Sequence, residues 1–420
     1  MDRRTRAVIA CAALWAAACS SGAQRVPMQQ TPLRDATWLA VELPDGFNPN
    51  VLAPHGSLLL VGGRTPSQRV QPRLATVAPD TATSEIPLTP HSGYAFEATW
   101  RSIATDGPRI IAVGGAEGGA HGNVRWTAWH GSVSGLEEVP QPSGTFGGVG
   151  AGDLVGAAAT TAGPAIAGTW EGDRAGLDAA VWLPDATRWR RQSSGRTTLE
   201  STSELLVGPR AVTSSGPGIV LAGSVIELVT GDVRQRAAAW RSERLDQGWR
   251  RIDLPDAGAR SEAAAVSCTA ARCVFAGYVD GSLAIWSAGA APERLAGVPE
   301  VPADIGTTIP APALIDDAIV QVVSLRGGAA VLVGQGGGWA VYQGPAGTAV
   351  SAAAADRWLY VVTEGPGGRR LWRTAITELQ SAPGNRAEVH GEGEPAAGIG
   401  GRNAAGRPIA EDAAPSLTRT

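Results

Sequence analysis

The sequence contains no lysine, and this absence excludes one class of site. All 35 basic residues are arginine. A nucleotide-binding P-loop requires Gly-x4-Gly-Lys-Ser/Thr, because its lysine reaches the phosphates. The glycine-rich stretch GGAEGGAHGN (114–123) is therefore predicted to form a turn. The net charge of −4 is small for 420 residues and indicates neither a nucleic-acid-binding surface nor a polybasic membrane-binding segment.

Long apolar runs are also scarce. The run over residues 7–18 follows three arginines and has about a dozen residues, too short for a transmembrane helix and typical of a signal peptide. It leads into Ala16-Ala17-Ala18-Cys19, which resembles the lipobox of bacterial lipoproteins, whose cysteine carries diacylglycerol and palmitate. This resemblance implies a signal peptide over 1–18 and a lipidated Cys19 on the outer face of the cytoplasmic membrane. The alternative is an ordinary secretory signal with an incidental cysteine.

Cysteine is rare as well, with four in the chain. Once Cys11 leaves with the signal and Cys19 is lipidated, Cys268 and Cys273 remain as one pair in an oxidising compartment. Two strand ends across a tight turn bring Cα atoms within the ~4.4–6.8 Å that a disulfide needs, so a disulfide is predicted. The competing metal site is disfavoured because no second Cys or His pair is present and the five histidines are scattered.

A short apolar strand ending in a small pair recurs along the chain. Measured at its last residue, the steps are 52, 54, 55, 54 and 57 residues, and the final step is 29. The seven copies are LLLVGG (58–63), IIAVGG (110–115), AIAGT (165–169), IVLAGS (219–224), VFAGY (274–278), VLVGQ (331–335) and LYVVTE (359–364). Such a period indicates a radial or solenoid repeat.

An aromatic residue follows each small pair in a second strand, from the second copy onward. These residues are Trp129, Trp182, Trp240, Trp286, Tyr342 and Trp372. A Trp-led third strand is clearest in WRRIDLP (249–255), and a fourth segment precedes each small pair. Four strands per repeat of ~50 residues is typical of an all-β propeller blade. The repeated aromatics are interpreted as packing between neighbouring sheets, while Trp100 and Trp126 lie outside the pattern and are expected to be freer.

The two ends of the repeat region complement each other. WLAVELP (38–44) matches WRRIDLP but stands alone at the start, and the final repeat lacks an outer strand. The N-terminal strand is therefore predicted to close the last blade, which removes an open sheet edge. Seven blades are expected over residues 37–380, with six or eight left open because blade six has only a thin outer strand near AGTAV (346–350).

The remaining segments are predicted to lie outside the propeller. Residues 19–36 would form the lipidated N-terminus and a tether. The tail over 381–420 has too little apolar content to fold and is predicted to be disordered.

The stretch VSCTAARCVFAGYVDGSLAIW (266–286) resembles the repeats of secreted actinobacterial β-propeller proteins. Those repeats pair two cysteines around the first hairpin and continue with a Val/Ala-Gly strand, a strand ending in Trp, and a Trp-led strand closing on Pro. The resemblance implies a propeller and an exported location, and little defined chemistry.

Five consecutive repeats carry an acidic residue near the start of the expected innermost strand. These residues are Glu97, Asp153, Glu204, Glu262 and Asp317. In a propeller such starts gather at one mouth of the central channel, where carboxylates would favour a cation such as calcium or a basic partner. The simpler interpretation is that solvated turn residues are tolerated there. No other metal or cofactor is predicted.

Charged residues after the small-pair strands define the second candidate surface. They are Arg64, Glu117, His121, Glu171, Asp173, Arg174, Asp232 and Asp280. A binding module for an envelope protein or glycan, as a monomer without nucleic acid, is the leading hypothesis. The runner-up is an extracellular hydrolase or lyase with its site at the channel mouth. No Gly-x-Ser-x-Gly nucleophile elbow and no sialidase-type Ser-x-Asp-x-Gly-x-Thr-Trp turn occurs.

Overall fold

Short strands rich in apolar and small residues occur throughout the part of the chain that the computed structural model describes, residues 31–66, 70–118, 123–229 and 231–380. Two short strands come first, β1 (Leu33–Arg34) and β2 (Leu39–Val41). Blade one contains β3 (Asn48–His55), β4 (Leu58–Arg64), β5 (Pro72–Val77) and β6 (Thr83–Glu85). Blade two contains β7 (Leu88–Thr89), β8 (Thr99–Asp106), β9 (Arg109–Glu117), β10 (Val124–Ser132) and β11 (Gly135–Glu138).

Blades three to five each contain four consecutive strands. Blade three has β12 (Ala151–Thr160), β13 (Gly163–Glu171), β14 (Leu177–Asp185) and β15 (Arg188–Arg191). Blade four has β16 (Leu205–Ser215), β17 (Gly218–Val229), β18 (Asp232–Arg241) and β19 (Arg250–Asp253). Blade five has β20 (Ser261–Cys268), β21 (Cys273–Val279), β22 (Ser282–Ala288) and β23 (Pro292–Arg294).

The last two blades use the N-terminal strands. Blade six has β24 (Ala313–Ile315), β25 (Ala318–Leu325), β26 (Gly328–Gln335) and β27 (Gly338–Gln343), and blade seven has β28 (Thr348–Ala355), β29 (Trp358–Gly365) and β30 (Gly368–Ala375), followed by α1 (Ile376–Gln380). The protein is therefore a seven-bladed propeller of antiparallel four-stranded sheets, as the repeats predict, and blades two and six each carry a short fifth strand, β7 and β1, paired in parallel at the outer edge. No helix among the described residues is long and apolar enough to cross a bilayer.

The N-terminal strand closes the ring as predicted. β2 pairs antiparallel with β30, with Ala40 opposite Trp372. The structure adds a contact that the sequence did not reveal, because β1 pairs in parallel with β27 of blade six. Leu33–Arg34 therefore belongs to the propeller although it lies within the segment expected to be a tether.

The hydrophobic core lies between neighbouring blades, and the repeated tryptophans fill it. Trp129, Trp182, Trp240 and Trp286 are fully buried. Each packs against the preceding blade, as Trp286 of blade five does against Val220 and Ala222 of blade four. Indole burial removes ~150–250 Å² of surface from water. The aromatics at this repeat position are thus packing residues.

The antiparallel blades give the ring two distinct faces. The upper face contains the start of each first strand and the turns between second and third strands. The lower face contains the turns between first and second strands. The predicted disulfide Cys268–Cys273 closes one lower-face turn, with Cα atoms 4.0 Å apart, and α1 is also there, since the Ile376 amide donates to the Arg357 carbonyl in another such turn.

In blades one to five, a glycine of the small pair lies opposite a bulge in the first strand. Blade seven has the same bulge, with Thr363 at the corresponding position. In blade five, a Cβ on Gly277 would overlap the backbone oxygen of Glu262 in the bulged strand. A residue without a side chain therefore fits there.

Blade six departs from this pattern, and the sequence interpretation of it is wrong. β25 and β26 pair without a register shift. β24 lies beside the first strands β20 and β28, so β24 is the innermost strand and VLVGQ belongs to the third strand. The short final step of 29 residues arises because a third strand was compared with a second one. Residues 348–350 begin β28 of blade seven and do not form an outer strand of blade six.

Candidate functional site

The five predicted acidic residues do not form a ring at one mouth. Glu97 ends a 3-10 helix before β8, Asp153 lies near the start of β12, and Glu204 immediately precedes β16. These three are exposed and lie on the upper face. Glu262 and Asp317 depart from the prediction, each in a different way.

Glu262 is buried and engaged by its neighbours. Its Oε2 accepts hydrogen bonds from Arg210 Nε at 3.0 Å, Gln235 Nε2 at 3.1 Å and Ser224 Oγ at 3.4 Å. Arg210 belongs to the first strand of blade four, so the network joins blades four and five. The carboxylate is neutralised within the protein. Its role here is to connect two blades.

Asp317 lies on the lower face, so its predicted position is wrong. β25 is a second strand and runs antiparallel to the first strands. Ser324, near the end of β25, accepts a hydrogen bond at 3.0 Å from the amide of Ala349, near the start of the first strand β28. At the start of β25, the Asp317 carbonyl accepts from Arg272 in the lower-face cysteine turn. Asp317 matches the sequence spacing of the other four residues only because it precedes the second strand of blade six, whereas the others lie near the start of a first strand.

Two of the predicted upper-face turn residues are paired with neighbouring charged side chains. The Arg174 Nη1 lies 3.9 Å from the Glu200 carboxylate. Arg234 donates through Nε to Asp232 at 2.6 Å, and this hydrogen bond lowers the pKa of the Asp232 carboxyl.

Asp280 fixes the start of blade five. Its carboxylate accepts from the backbone amides of Ala259 and Arg260 at 2.9–3.4 Å. Asp280 and Gly281 both have positive φ, which suits the two-residue hairpin between β21 and β22. Glu171 and Asp173 are exposed at the blade-three turn. His121 lies outside the described residues.

Trp126 lines three neighbouring cavities of the upper face. Its ring lies over β9, where a Cβ on Gly115 would come within 3.1 Å of Trp126 Cε3 and would overlap Val124. The small pair of blade two therefore makes room for the indole. Trp126 is half-buried, as predicted for a residue outside the repeat pattern. Trp100, by contrast, is buried against Trp129 at 5.3 Å between ring centres, so the expectation that it is free is wrong.

Two adjoining cavities share Arg101, Val124 and Trp126, and we call them together the Trp126 cleft. The first has a volume of about 600 Å³ and brings the predicted residues Arg64, Glu97 and Glu117 together. The second, of about 480 Å³, lies between blades two, three and four and contains the predicted Asp153. A third cavity of about 370 Å³ also reaches Trp126 and contains Tyr94, Arg125 and Phe146.

A buried carboxylate holds the loop beside the cleft. Glu138 at the end of β11 accepts from the backbone amides of His91 and Ser92 at 2.6 and 2.7 Å and from Ser92 Oγ at 2.6 Å. Charge-assisted bonds of this kind are about twice as strong as neutral ones. They fix the loop whose aromatic residues Tyr94 and Phe96 are exposed.

Exposed large apolar side chains concentrate on the upper face. Within the described ranges, eleven such side chains are exposed, and eight of them are in upper-face loops and turns. The eight are Tyr94, Phe96, Val149, Leu177, Leu228, Val229, Val233 and Ile305. They come from blades two, three, four and six, and two of them, Tyr94 and Leu177, line the cavities around Trp126.

The metal and cofactor hypotheses gain no site from this geometry. In the part of the chain that the structure describes, no three His, Cys, Asp or Glu side chains stand close enough to share a metal ion. Calcium at the channel mouth stays a prediction that only binding measurements test.

Sequence reasoning missed Arg101, Arg125 and the exposed apolar residues. The one signal pointing to the cleft was Trp126, a second tryptophan in a strand that needs only one for packing. Leu177 and Arg101 belong to different blades, and their proximity is invisible in residue spacing.

Comparisons with known proteins give structural similarity at low sequence identity and no family. The sequence matches no family model and no curated protein. The β-propeller domain of the trilobed protease from Pyrococcus furiosus is similar in structure at 10% identity and a TM-score of 0.49, covering 83% of this chain and 100% of that one. A Pyrococcus horikoshii acylaminoacyl peptidase has 10% identity and a TM-score of 0.48, over 76% of this chain and 49% of that one.

A sialidase from Trypanosoma rangeli is also similar, at 11% identity and a TM-score of 0.40, over 86% of this chain and 60% of that one. This chain thus spans about half to three fifths of the peptidase and the sialidase. The likeness is one of fold alone.

Proposed function

We propose that this protein is a membrane-anchored, extracytoplasmic binding module that contacts a cell-envelope partner through the upper face of its propeller. The observation that carries the proposal is the coincidence of two features on that face. The Trp126 cleft and most of the exposed large apolar side chains both lie there. Interface cores are enriched in tryptophan, tyrosine, phenylalanine and arginine, and all four residue types line or border this cleft.

The anchoring part of the proposal is supported by the N-terminal sequence. Residues 1–19 have the order of charges, apolar run and cysteine that a lipoprotein signal has. These residues lie outside the described part of the structure. β1 begins at Leu33, so the 14 residues from Cys19 reach at most about 50 Å at ~3.3–3.6 Å per residue.

The placement of the carboxylates favours binding over hydrolysis. An acid–base mechanism at the channel mouth needs carboxylates that converge on one substrate bond. Here Glu262 is engaged by Arg210, Asp317 lies on the other face, and Glu204 lies outside the Trp126 cleft. Among the predicted carboxylates, Glu97 and Glu117 line one cavity together, so a hydrolase or lyase hypothesis is tested first at that cavity.

Site-specific photo-cross-linking tests the proposal. A photoreactive side chain replaces Leu177 on the upper face or, as a matched control, Val133 in the lower-face turn between β10 and β11; the native residues are 43% and 42% exposed. In the native envelope we expect one discrete adduct from Leu177 and none from Val133. Equal yields from both positions, or an adduct from Val133 alone, would contradict an upper-face contact.

A further inference from the structure

The Arg125 side chain presents a hydrogen-bond donor that the described protein leaves unused. Arg125 lies near the start of β10, next to Trp126, and its Nε is buried without a hydrogen-bond partner in the described ranges. A Cβ on Gly147 would lie 3.3 Å from Arg125 Nη1, so the guanidinium is held against the loop that enters blade three. A buried unpaired donor is unfavourable, and more so when it is charged. An acceptor supplied from outside would remove this penalty.

Positive charge exceeds negative charge in the cavity beside Arg125. The 480 Å³ cavity is lined by Arg101, Arg125 and Arg210, with Asp153 as its only acidic residue. Arg210 is paired with Glu262. The side chains of Arg101 and Arg125 form no ion pair or hydrogen bond with any described residue. Two guanidinium groups without a protein partner and one carboxylate therefore line this cavity, which favours an anionic group beside Arg125, while Glu97 and Glu117 line the adjoining cavity.

The border of the same region is aliphatic and aromatic. Leu177 lines the 480 Å³ cavity, Tyr94 lines the neighbouring one, and Val149 follows a residue of the cavity wall and is fully exposed. Trp126 lines both of these cavities. Aliphatic side chains such as Leu177 and Val149 cannot form hydrogen bonds with the hydroxyl groups of a sugar. They can instead bury apolar surface against the apolar side chains of a protein partner.

We infer that the cleft around Arg125 and Trp126 docks a segment of a partner protein that presents an Asp or Glu carboxylate next to a large apolar side chain. The carboxylate binds the Arg125 guanidinium, with Arg101 beside it, and the apolar side chain packs on Trp126 and Leu177. A bidentate carboxylate contact uses the planar donor geometry of arginine. The inference rests on the proposed function and names the chemistry of its partner.

A displayed library of random twelve-residue peptides, selected on the full chain, tests this inference. We expect the selected peptides to carry an Asp or Glu within two residues of Leu, Phe or Trp. Their affinity should fall about tenfold or more in Arg125→Gln and in Trp126→Ala, and less in Arg101→Gln. Arg326→Gln is the matched control, because Arg326 is exposed on the same face at blade six, away from the cleft. It should bind as the native chain does.

Each other outcome overturns the inference. Peptides without acidic residues, or peptides whose affinity is the same in Arg125→Gln, would remove Arg125 as the docking point. Binding of soluble peptidoglycan fragments that depends on Arg125 would assign the cleft to a glycan, and dimerisation lost in Arg125→Gln would assign it to a second copy of the chain. If Leu177 forms a cross-link in the envelope but peptide binding does not depend on Arg125, this inference is refuted and the proposed function stands.

Discussion

The indole of Trp126 lies on Gly115 of the adjacent strand, at 3.1 Å from where a Cβ of residue 115 would be. Gly115, which belongs to the small pair of blade two, thereby leaves space for the Trp126 indole at the cleft. A structural feature that serves backbone packing in other blades supports the candidate binding site here.

Gly115→Ala should displace Trp126 and Val124. The new methyl overlaps Val124 and crowds the indole, and overpacking of this kind destabilises by ~1–3 kcal/mol. We expect a lower thermal midpoint together with weaker binding of acidic peptides. Gly144→Ala is the control, since its added Cβ meets no atom within 4 Å. A native midpoint in Gly115→Ala would refute this placement of the indole.

Ring closure depends on the buried side chain of β2. Val41 is buried against Leu371 and Tyr360 of blade seven, whereas Leu39 in the same strand is exposed. Val41→Asp should lower the free energy of unfolding by about 3 kcal/mol or more, because it buries a charge in an apolar contact. Leu39→Asp should change it by less than ~0.5 kcal/mol. Equal effects in chemical denaturation would contradict closure through β2.

Glu262 should behave as a structural residue. Replacing it by Ala leaves Arg210 without its acceptor and Gln235 with Ser224 Oγ alone, and loss of a hydrogen bond to a charged group destabilises by ~1.5–3 kcal/mol. Glu204→Ala, at an exposed position outside the network, serves as the control and should unfold as the native chain does.

Calcium titration by calorimetry separates the two views of the acidic residues. We expect no heat of binding, because Glu262 is neutralised and Asp317 lies on the lower face. A saturable heat that disappears in Asp153→Asn or Glu97→Gln would instead support a cation site at the upper mouth.

The stability of the propeller should fall at alkaline pH. Burial raises the pKa of the Tyr278 and Tyr360 hydroxyls above their ordinary value of about 10, and nearby Glu262 raises that of Tyr278 further. A raised folded-state pKa stabilises the protein fully below pH ~10, and this contribution is lost as the pH rises through the folded-state values. The double variant Tyr278→Phe/Tyr360→Phe should show a shallower decline in thermal midpoint between pH 9 and 11. Tyr94→Phe, at an exposed position, should retain the native slope.

The lipid anchor has its own test. Cys19→Ser should move the chain from the membrane to the soluble fraction and abolish incorporation of an alkyne-labelled fatty acid. Cys11→Ser, within the apolar run, is the control and should remain membrane-bound. Fatty-acid labelling that persists in Cys19→Ser would refute lipidation at this residue.

Much of the fold could be predicted from the sequence because the repeat is periodic. The small pairs and tryptophans recur at nearly constant steps, and each reflects a physical need, close backbone approach at the bulge or packing between sheets. The disulfide and the closing strand followed from local pattern as well. Blade six was misread because AIVQVVSL and GAAVLVGQ are equally apolar, and the absence of a bulge between them leaves no mark in the sequence.

The candidate site was harder to predict for a different reason. Arg101, Arg125 and Leu177 come together only when blades two and three are placed side by side. Their spacing along the chain follows no period, and an unpaired arginine looks like any solvated one until its burial is known. Trp126 could be singled out because it breaks the repeat pattern.

Hydrogen–deuterium exchange on the full chain, with and without the partner recovered through Leu177, tests the central claim most directly. If the upper face around Trp126 is the contact surface, backbone amides in 90–98, 124–127 and 146–150 should be protected, while those of the lower-face turn 269–272 should exchange as in the free protein. Protection confined to lower-face turns, with 124–127 unchanged, would contradict the account.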